Sequence, residues 1–165
     1  MSKQSVLLDT SFFIRLLNRD DALHNNAVGY FKYFLEKGYV LKISTIAIAE
    51  FCTRGQITDL PLRNMQIVPF NYDHAICAGE ICAIAFRRKQ AKGAIIYPRT
   101  VVPNDSKMYA QANVEDDIRH FVSADSEAFK VYRLIDEEKK LTFSFIDINI
   151  PYQVAFGELF GVEEE

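Results

Sequence analysis

The chain lacks any run of 18 apolar residues, and its 165 residues include only 3 Cys, 3 His and 7 Gly. Each shortage excludes something. Without a long apolar run, no helix spans a bilayer. An odd number of cysteines without regular spacing does not make a disulfide framework. Cys77 and Cys82 are five apart on an expected helix, so they point about 140° away from each other and cannot form a shared-face zinc pair. All three cysteines are expected as small core hydrophobes. His24, His74 and His120 form no sequence cluster, so neither a zinc site nor a His-activated nucleophile has support. No glycine occurs in residues 9–28, which removes the Gly-x-Gly-x-x-Gly turn that a dinucleotide site needs after a first strand. A phosphate-binding P-loop is absent as well.

What is present describes one ordinary globular domain over residues 1–165, with 161–165 as an acidic tail. The hydrophobic share of 49% and charged share of 25% are those of a water-soluble protein with a real core. Met1-Ser2-Lys3-Gln4 runs straight into an apolar stretch without signal-peptide architecture, so a cytoplasmic location and no membrane partner are expected. The net charge of −3 hides an uneven distribution: residues 51–110 carry 8 Lys/Arg and 4 Asp/Glu, and residues 111–165 carry 5 and 13. Most of the acidity, including Asp136-Glu137-Glu138, reads as solvated surface.

Periodicity gives the architecture. Val6-Leu7-Leu8 reads as a fully buried strand, and Phe12 to Leu17 as a helix. A helix over 21–37 stops at Gly38. Tyr39–Ile43 reads as a strand, and Thr45 to about Arg54 as a helix with Glu50 in its interior. Ile67–Phe70 is extended. The following amphipathic helix is expected to bury Ile76, Gly79, Cys82 and Ile84-Ala85 and to end near Gly93. Residues 94–104 contain two prolines and read as a loop. A helix after Asp105, a strand over Ile118–Val122, a helix over Ser126 to about Lys139, a strand over Leu141–Ile146 and a last helix over Tyr152–Phe160 complete the chain. Such alternation implies an α/β protein, a three-layer α/β/α sandwich around a mostly parallel sheet.

Acidic residues stand out within that frame. Asp9 follows the first strand, Glu50 follows Ile43-Ser44-Thr45, Asp105 lies at a turn before a helix, and Asp125 follows Phe121-Val122-Ser123. In parallel sheets the carboxyl ends of the strands are where ligands gather. A strand-end Asp also makes a good helix cap, and capping alone accounts for any one of these residues. Four together are different, because converging carboxylates repel by roughly 1–4 kcal/mol per pair at about 4 Å. A fold avoids that arrangement unless a cation neutralises it. Oxygen-only ligands suit Mg²⁺ or Mn²⁺ rather than zinc.

The ordered set Val-Leu-Leu-Asp9-Thr-Ser, Ser-Thr-Ile-Ala-Ile-Ala-Glu50-Phe, Asn-Asp105 and Val-Ser-Ala-Asp125 resembles the PIN-domain ribonucleases, which include the VapC-type toxins of toxin–antitoxin pairs. The resemblance runs from Val6 to about Phe145. It implies that Asp9, Glu50, Asp105 and Asp125 form an acidic pocket for Mg²⁺ or Mn²⁺, with Ser11 and Ser123 as polar groups beside it. It further implies cleavage of single-stranded RNA, a possible protein antitoxin as partner, and a homodimer. This sequence departs from the family pattern in its third motif, Asp105-Ser-Lys-Met-Tyr-Ala-Gln-Ala, where the alanines are shifted and Lys107 sits close by. It is also longer than a compact toxin, mainly through residues 86–104.

Arg87, Arg88, Lys89 and Lys92 are read as an RNA-backbone track, with Lys107 as a further RNA contact; their plainer role is to complement a helix C-terminus. The homodimer is expected through the helix face around Ile76, Ile84 and Phe86. Glu80, Asp116, Asp117 and Asp147 compete with the four chosen acids, Asp147 most strongly because it follows a strand. A haloacid-dehalogenase-type phosphatase is disfavoured because Ser11 stands where its second acid is needed. The alternative from another class is a PIN-like module that binds RNA or protein without cutting.

Overall fold

Val6, Leu7 and Leu8 present no polar face, and such a strand is stable only with both faces covered. The computed structural model, which describes residues 3–93 and 104–157, places them at the centre of a five-stranded sheet. Its strands are β1 (Ser5–Leu8), β2 (Val40–Ser44), β3 (Met65–Val68), β4 (Ile118–Ser123) and β5 (Ser144–Asp147). They lie in the order β3-β2-β1-β4-β5, and every pairing is parallel. All four residues of β1 are buried.

Six α-helices lie between the strands among the described residues and a seventh follows β5: α1 (Thr10–Leu17), α2 (His24–Glu36), α3 (Thr45–Phe51), α4 (Tyr72–Ala91), α5 (Asn104–Val114), α6 (Ser126–Glu138) and α7 (Tyr152–Ala155). The chain winds outward from β1 to β2 and β3, then returns through α4 and α5 to lay β4 on the other side of β1. Parallel crossovers are right-handed, so reversing direction puts the second set of helices on the opposite face. The result is the expected three-layer α/β/α sandwich, with its switch of direction between β1 and β4. Open sheets of this kind bind ligands outside the carboxyl ends of the strands at that switch.

Local chemistry fixes the element ends. α2 stops where Gly38 takes φ +77°, a conformation that costs glycine little. α4 begins with a reciprocal cap, in which Asn71 Oδ1 accepts from the His74 amide and the Asn71 amide donates to His74 Nδ1, both at 3.1 Å. Ser44 caps α3 through the Ile46 amide at 3.0 Å and donates to Gln111 Oε1 at 2.5 Å. Gln111 Nε2 in turn donates to the Val68 carbonyl at 3.0 Å, so one buried amide ties α5 to both β2 and β3. Two aromatic groups fill out the layers. Tyr30, Tyr33 and Phe34 of α2 pack with Tyr152 and Phe156, and Tyr109 packs with Phe121, Tyr132 and Phe143.

Several expectations change. α3 ends at Phe51 rather than near Arg54, and β5 begins at Ser144 rather than Leu141. The buried face of α4 runs through His74, Cys77, Ala78, Ile81, Cys82, Ile84 and Ala85; Ile76 is 58% exposed and Gly79 meets nothing. Ile84 is therefore core and cannot contribute to a dimer surface. Cys52 is exposed, against the expectation of three core cysteines, while Cys77 and Cys82 are buried. The loop expected over 94–104 falls outside the described residues up to Asn104, which begins α5. The end of the last helix at Phe160 and the acidic tail fall outside them too. No helix among the described residues is long and apolar enough to cross a membrane.

Lys42 was not singled out by sequence, yet it is a charged residue on β2 with only 6% exposure. Its ammonium donates to Asp117 Oδ1 at 2.8 Å. Burial opposes ionisation of Asp117, but the Lys42 hydrogen bond and charge hold its carboxyl below the usual range. Removing Asp117 leaves an ammonium of 8% side-chain exposure unpaired, whereas removing Lys42 leaves a carboxylate that is 28% exposed and better solvated. Asp117→Asn should therefore cost roughly 1–3 kcal/mol in urea unfolding, and Lys42→Met should cost less. Equal losses from the two variants would contradict this asymmetry.

Candidate active site

Asp9 stands at the carboxyl end of β1, where its amide donates to the Val122 carbonyl of β4 at 3.0 Å. It caps α1, with Oδ1 accepting from the Thr10 amide at 2.7 Å. Oδ2 accepts from the Ser11 hydroxyl at 2.7 Å and the Ser123 hydroxyl at 2.8 Å. The two serine oxygens lie 3.1 Å apart, and each also accepts an amide, from Ala124 and Asp125 respectively. Asp9 is only 4% exposed. Burial raises its pKa, the three hydrogen bonds lower it, and the charge of Glu50 raises it; the net direction is up.

Glu50 and Asp105 do not sit directly at strand ends as Asp9 does. Glu50 lies in the last turn of α3, which is itself capped by Ser44 at the end of β2. Thr10 donates its hydroxyl to Glu50 Oε2 at 2.5 Å. Asn104 donates its side-chain amide to Oε1 at 2.5 Å. Lys107 reaches Asn104 Oδ1 at 3.4 Å. An open cavity of about 400 Å³ is lined by Glu50, Asn104 and Lys107 together with Thr45 and Thr53. Lys107 thus faces the pocket, through Asn104.

Asp105 occupies the first turn of α5 and is pushed up to about 7. Burial is the largest cause, followed by the charges of Asp9, Asp125 and Glu50, while Lys89 opposes them. Asp125 follows β4 and caps α6, its Oδ1 accepting from the amides of Glu127 at 2.8 Å and Ala128 at 3.4 Å. The phenol of Tyr109 is held un-ionised by burial first and then by Asp105, Asp9 and Asp125. Asp105 is thus within electrostatic reach of the other three acids, and Asp9 of Glu50.

Electrostatic reach is longer than ligand reach. Among the described residues no three His, Cys, Asp or Glu side chains stand close enough together to hold a metal ion. Charges act across a Debye length of about 10 Å, whereas a bound cation needs oxygen atoms at about 2.0–2.6 Å. The donor set nevertheless fits a hard cation: oxygen atoms only, with burial and then the charges of Asp9, Asp125 and Glu50 raising the Asp105 pKa to about 7. Mg²⁺ keeps several waters and is commonly held through one or two carboxylates, which demands less convergence than three.

The competing acids have other engagements. Glu80 pairs with Lys139 at 2.6 Å, and Asp117 with Lys42. Asp147 does extend β5 beside Ser123, but its Oδ1 accepts from the Asn149 amide at 2.9 Å and side chain at 2.6 Å. It is not among the acids that act on Asp105. Of the basic residues, Arg87 is paired with Glu138 and Arg88 with Glu137. Lys89 and Lys92 line a separate groove. Sequence reading missed Thr10 and Asn104 as the groups that orient Glu50. Their signal was adjacency, since each immediately neighbours a chosen acid.

No protein-family model matches the sequence, and no curated protein matches it. Solved structures do. A DNA-bound VapBC from Salmonella typhimurium is similar at 16% identity over 88% of this chain and 98% of that one, with a TM-score of 0.55. VapBC2 from Rickettsia felis, bound to a DNA fragment from its promoter, is similar at 19% identity over 87% and 100%, with a TM-score of 0.52. The fold is PIN-like, of the VapC type. At these identities the likeness concerns the PIN-like fold alone.

The raised Asp105 pKa makes a stability prediction. A carboxyl whose folded pKa lies above its unfolded value contributes stability that is present at low pH and lost as pH rises through the folded value. That loss should occur between about pH 4 and pH 7. Asp105→Asn should then stabilise the metal-free protein at about pH 8, by roughly 1–3 kcal/mol allowing for partial solvent screening, and far less at about pH 4. Denaturant unfolding at both pH values is the check, and a variant less stable than wild type at the higher pH would contradict it.

Proposed function

We propose that the protein is a Mg²⁺- or Mn²⁺-dependent endoribonuclease of single-stranded RNA, the toxin of a toxin–antitoxin pair. The observation that carries this reading is the repulsion of Asp105 by Asp9, Asp125 and Glu50 near the switch point of a PIN-like sheet. Such repulsion is a standing cost of several interacting charges, and it is relieved when a cation binds. Of Asp9, Glu50, Asp105 and Asp125, one or two would hold the metal directly and the others would contribute charge. A metal bound there supplies Lewis-acid activation of the phosphate and lowers the pKa of the attacking water.

The chain's own groups do the rest. Ser11 and Ser123 fix the rotamer of Asp9 through Oδ2, and Thr10 and Asn104 fix that of Glu50. Asp105 carries a proton near neutral pH while no cation is bound, and cation binding would release it. Lys107, beside Asn104, would meet the phosphate. The partner implied by the VapC-type fold is an antitoxin protein, and the homodimer expectation now rests on the family resemblance alone.

Wild-type protein should cleave a generic single-stranded RNA only with Mg²⁺ or Mn²⁺, and chelation should stop it. Asp9→Asn should lower kcat by at least roughly 100-fold, the scale for losing one preorganised electrostatic group. It should also raise the Tm of the metal-free protein, because it removes a buried charge while keeping an acceptor for the Thr10 amide. Ser123→Ala should weaken metal affinity by about 10–100-fold. A properly folded wild type with no metal-dependent turnover would instead favour a PIN-like module that binds without cutting. A lower Tm with activity retained would reduce Asp9 to a helix cap.

A further inference from the structure

We propose that the groove between the C-terminal turns of α4 and the outer face of α6 is a track for the sugar-phosphate backbone of single-stranded RNA, running away from the acidic site. The assignment rests on the ribonuclease reading for where the scissile bond lies. The groove is an open cavity of about 370 Å³ whose walls carry Lys89 and Lys92 from α4 and Lys130 and Arg133 from α6, over a floor that includes Val131 and Leu134. Lys89 and Lys92 are three apart, as are Lys130 and Arg133, a spacing that sets each pair on one face of its helix.

Two carboxylates also line the groove, Glu127 and Glu137. Glu137 is taken by Arg88, and Glu127 pairs with Lys130 at 2.6 Å. Lys130 and Glu127 are 68% and 74% exposed, and a pair so open to solvent contributes little, so a phosphate can displace the carboxylate. Lys89, Lys92 and Arg133 form no ion pair among the described residues. The groove therefore holds a local cationic surplus within a chain of net charge −3, and local surplus is what concentrates a polyanion.

Continuity with the site comes through Lys89. Its ammonium acts on Asp105 at one end and on Glu127 at the other. Lys89 therefore stands between the acidic site and the groove. Arg87 and Arg88, the most conspicuous basic pair in the sequence, hold α4 to α6 from outside the track. Lys130 and Arg133, drawn from a strongly acidic stretch of sequence, belong to it.

The test measures binding of a labelled uridine oligonucleotide by fluorescence anisotropy across a salt series, with chelator present so that cleavage plays no part. Replacing Lys89, Lys92, Lys130 and Arg133 together by Gln should flatten the dependence of log affinity on log salt by about 0.7 for each phosphate that is no longer neutralised. The same change at Arg87 and Arg88 should leave the slope as it was. If the fourfold variant fails to fold, Lys92→Gln and Arg133→Gln singly should each reduce the slope by about 0.7. An unchanged slope overturns the track, and so does a loss that follows Arg87 and Arg88 instead. If RNA binding is unaffected while binding of poly-glutamate disappears, the groove receives an acidic protein segment and the RNA assignment is overturned. Wild-type cleavage is assayed separately. Metal-dependent cleavage with an unchanged slope sinks the track alone, and a flattened slope without wild-type cleavage sinks the nuclease reading alone.

Discussion

Four carboxylates that feel one another across a partly buried space cannot all keep ordinary pKa values, and the carboxyl edge of this sheet is arranged around that conflict. Asp9 stays hydrogen-bonded to two hydroxyls and an amide. Glu50 is held by a hydroxyl and a side-chain amide, and Asp125 by two backbone amides. Asp105 has no such donor among the causes of its shift and yields, taking a proton near neutrality. Asp9 is raised as well, so the conflict is not confined to one residue.

Topology creates the conflict. The sheet reverses its winding between β1 and β4, so Asp9 and Asp125 leave adjacent strands at the same edge. α3 and α5 then bring Glu50 and Asp105 in from the two flanks. The same helices that carry the acids also carry their supports: Ser11 and Thr10 on α1, Asn104 and Lys107 on α5. Orientation of the site is built into the starts of helices, where capping geometry is rigid. The basic groove around Lys89 lies one helix away from Asp105, between α4 and α6.

Much of this was legible in sequence. Val6-Leu7-Leu8 announced a strand covered on both faces, and the alternation of periods announced the sandwich. Asp9 and Asp125 were readable because a strand, an acid and a helix occur in immediate succession. Glu50 was readable as an acid but its geometry was not, since α3 stops a turn early and the residue ends up near the helix terminus. The α4 face failed for a different reason. Apolar residues occur all round that helix, and only the packing of α5 and α6 decides that Ile84 is buried and Ile76 is not. The ion pairs of the basic cluster are invisible in one dimension: Glu137 and Glu138 lie about 50 positions from the arginines they pair with. Lys42 was missed for the same reason, as its partner Asp117 lies 75 positions away.

The central claim is that Asp105 carries the charge conflict of this site and that a divalent cation relieves it. The direct measurement is a carboxyl-carbon NMR titration of Asp105 in the metal-free protein and again with saturating Mg²⁺, with Asp105→Asn to assign the resonance. The account predicts a midpoint near about 7 without metal and a clear downward displacement with Mg²⁺. An Asp105 that titrates in the ordinary carboxylate range, and does not move when Mg²⁺ is added, would contradict it.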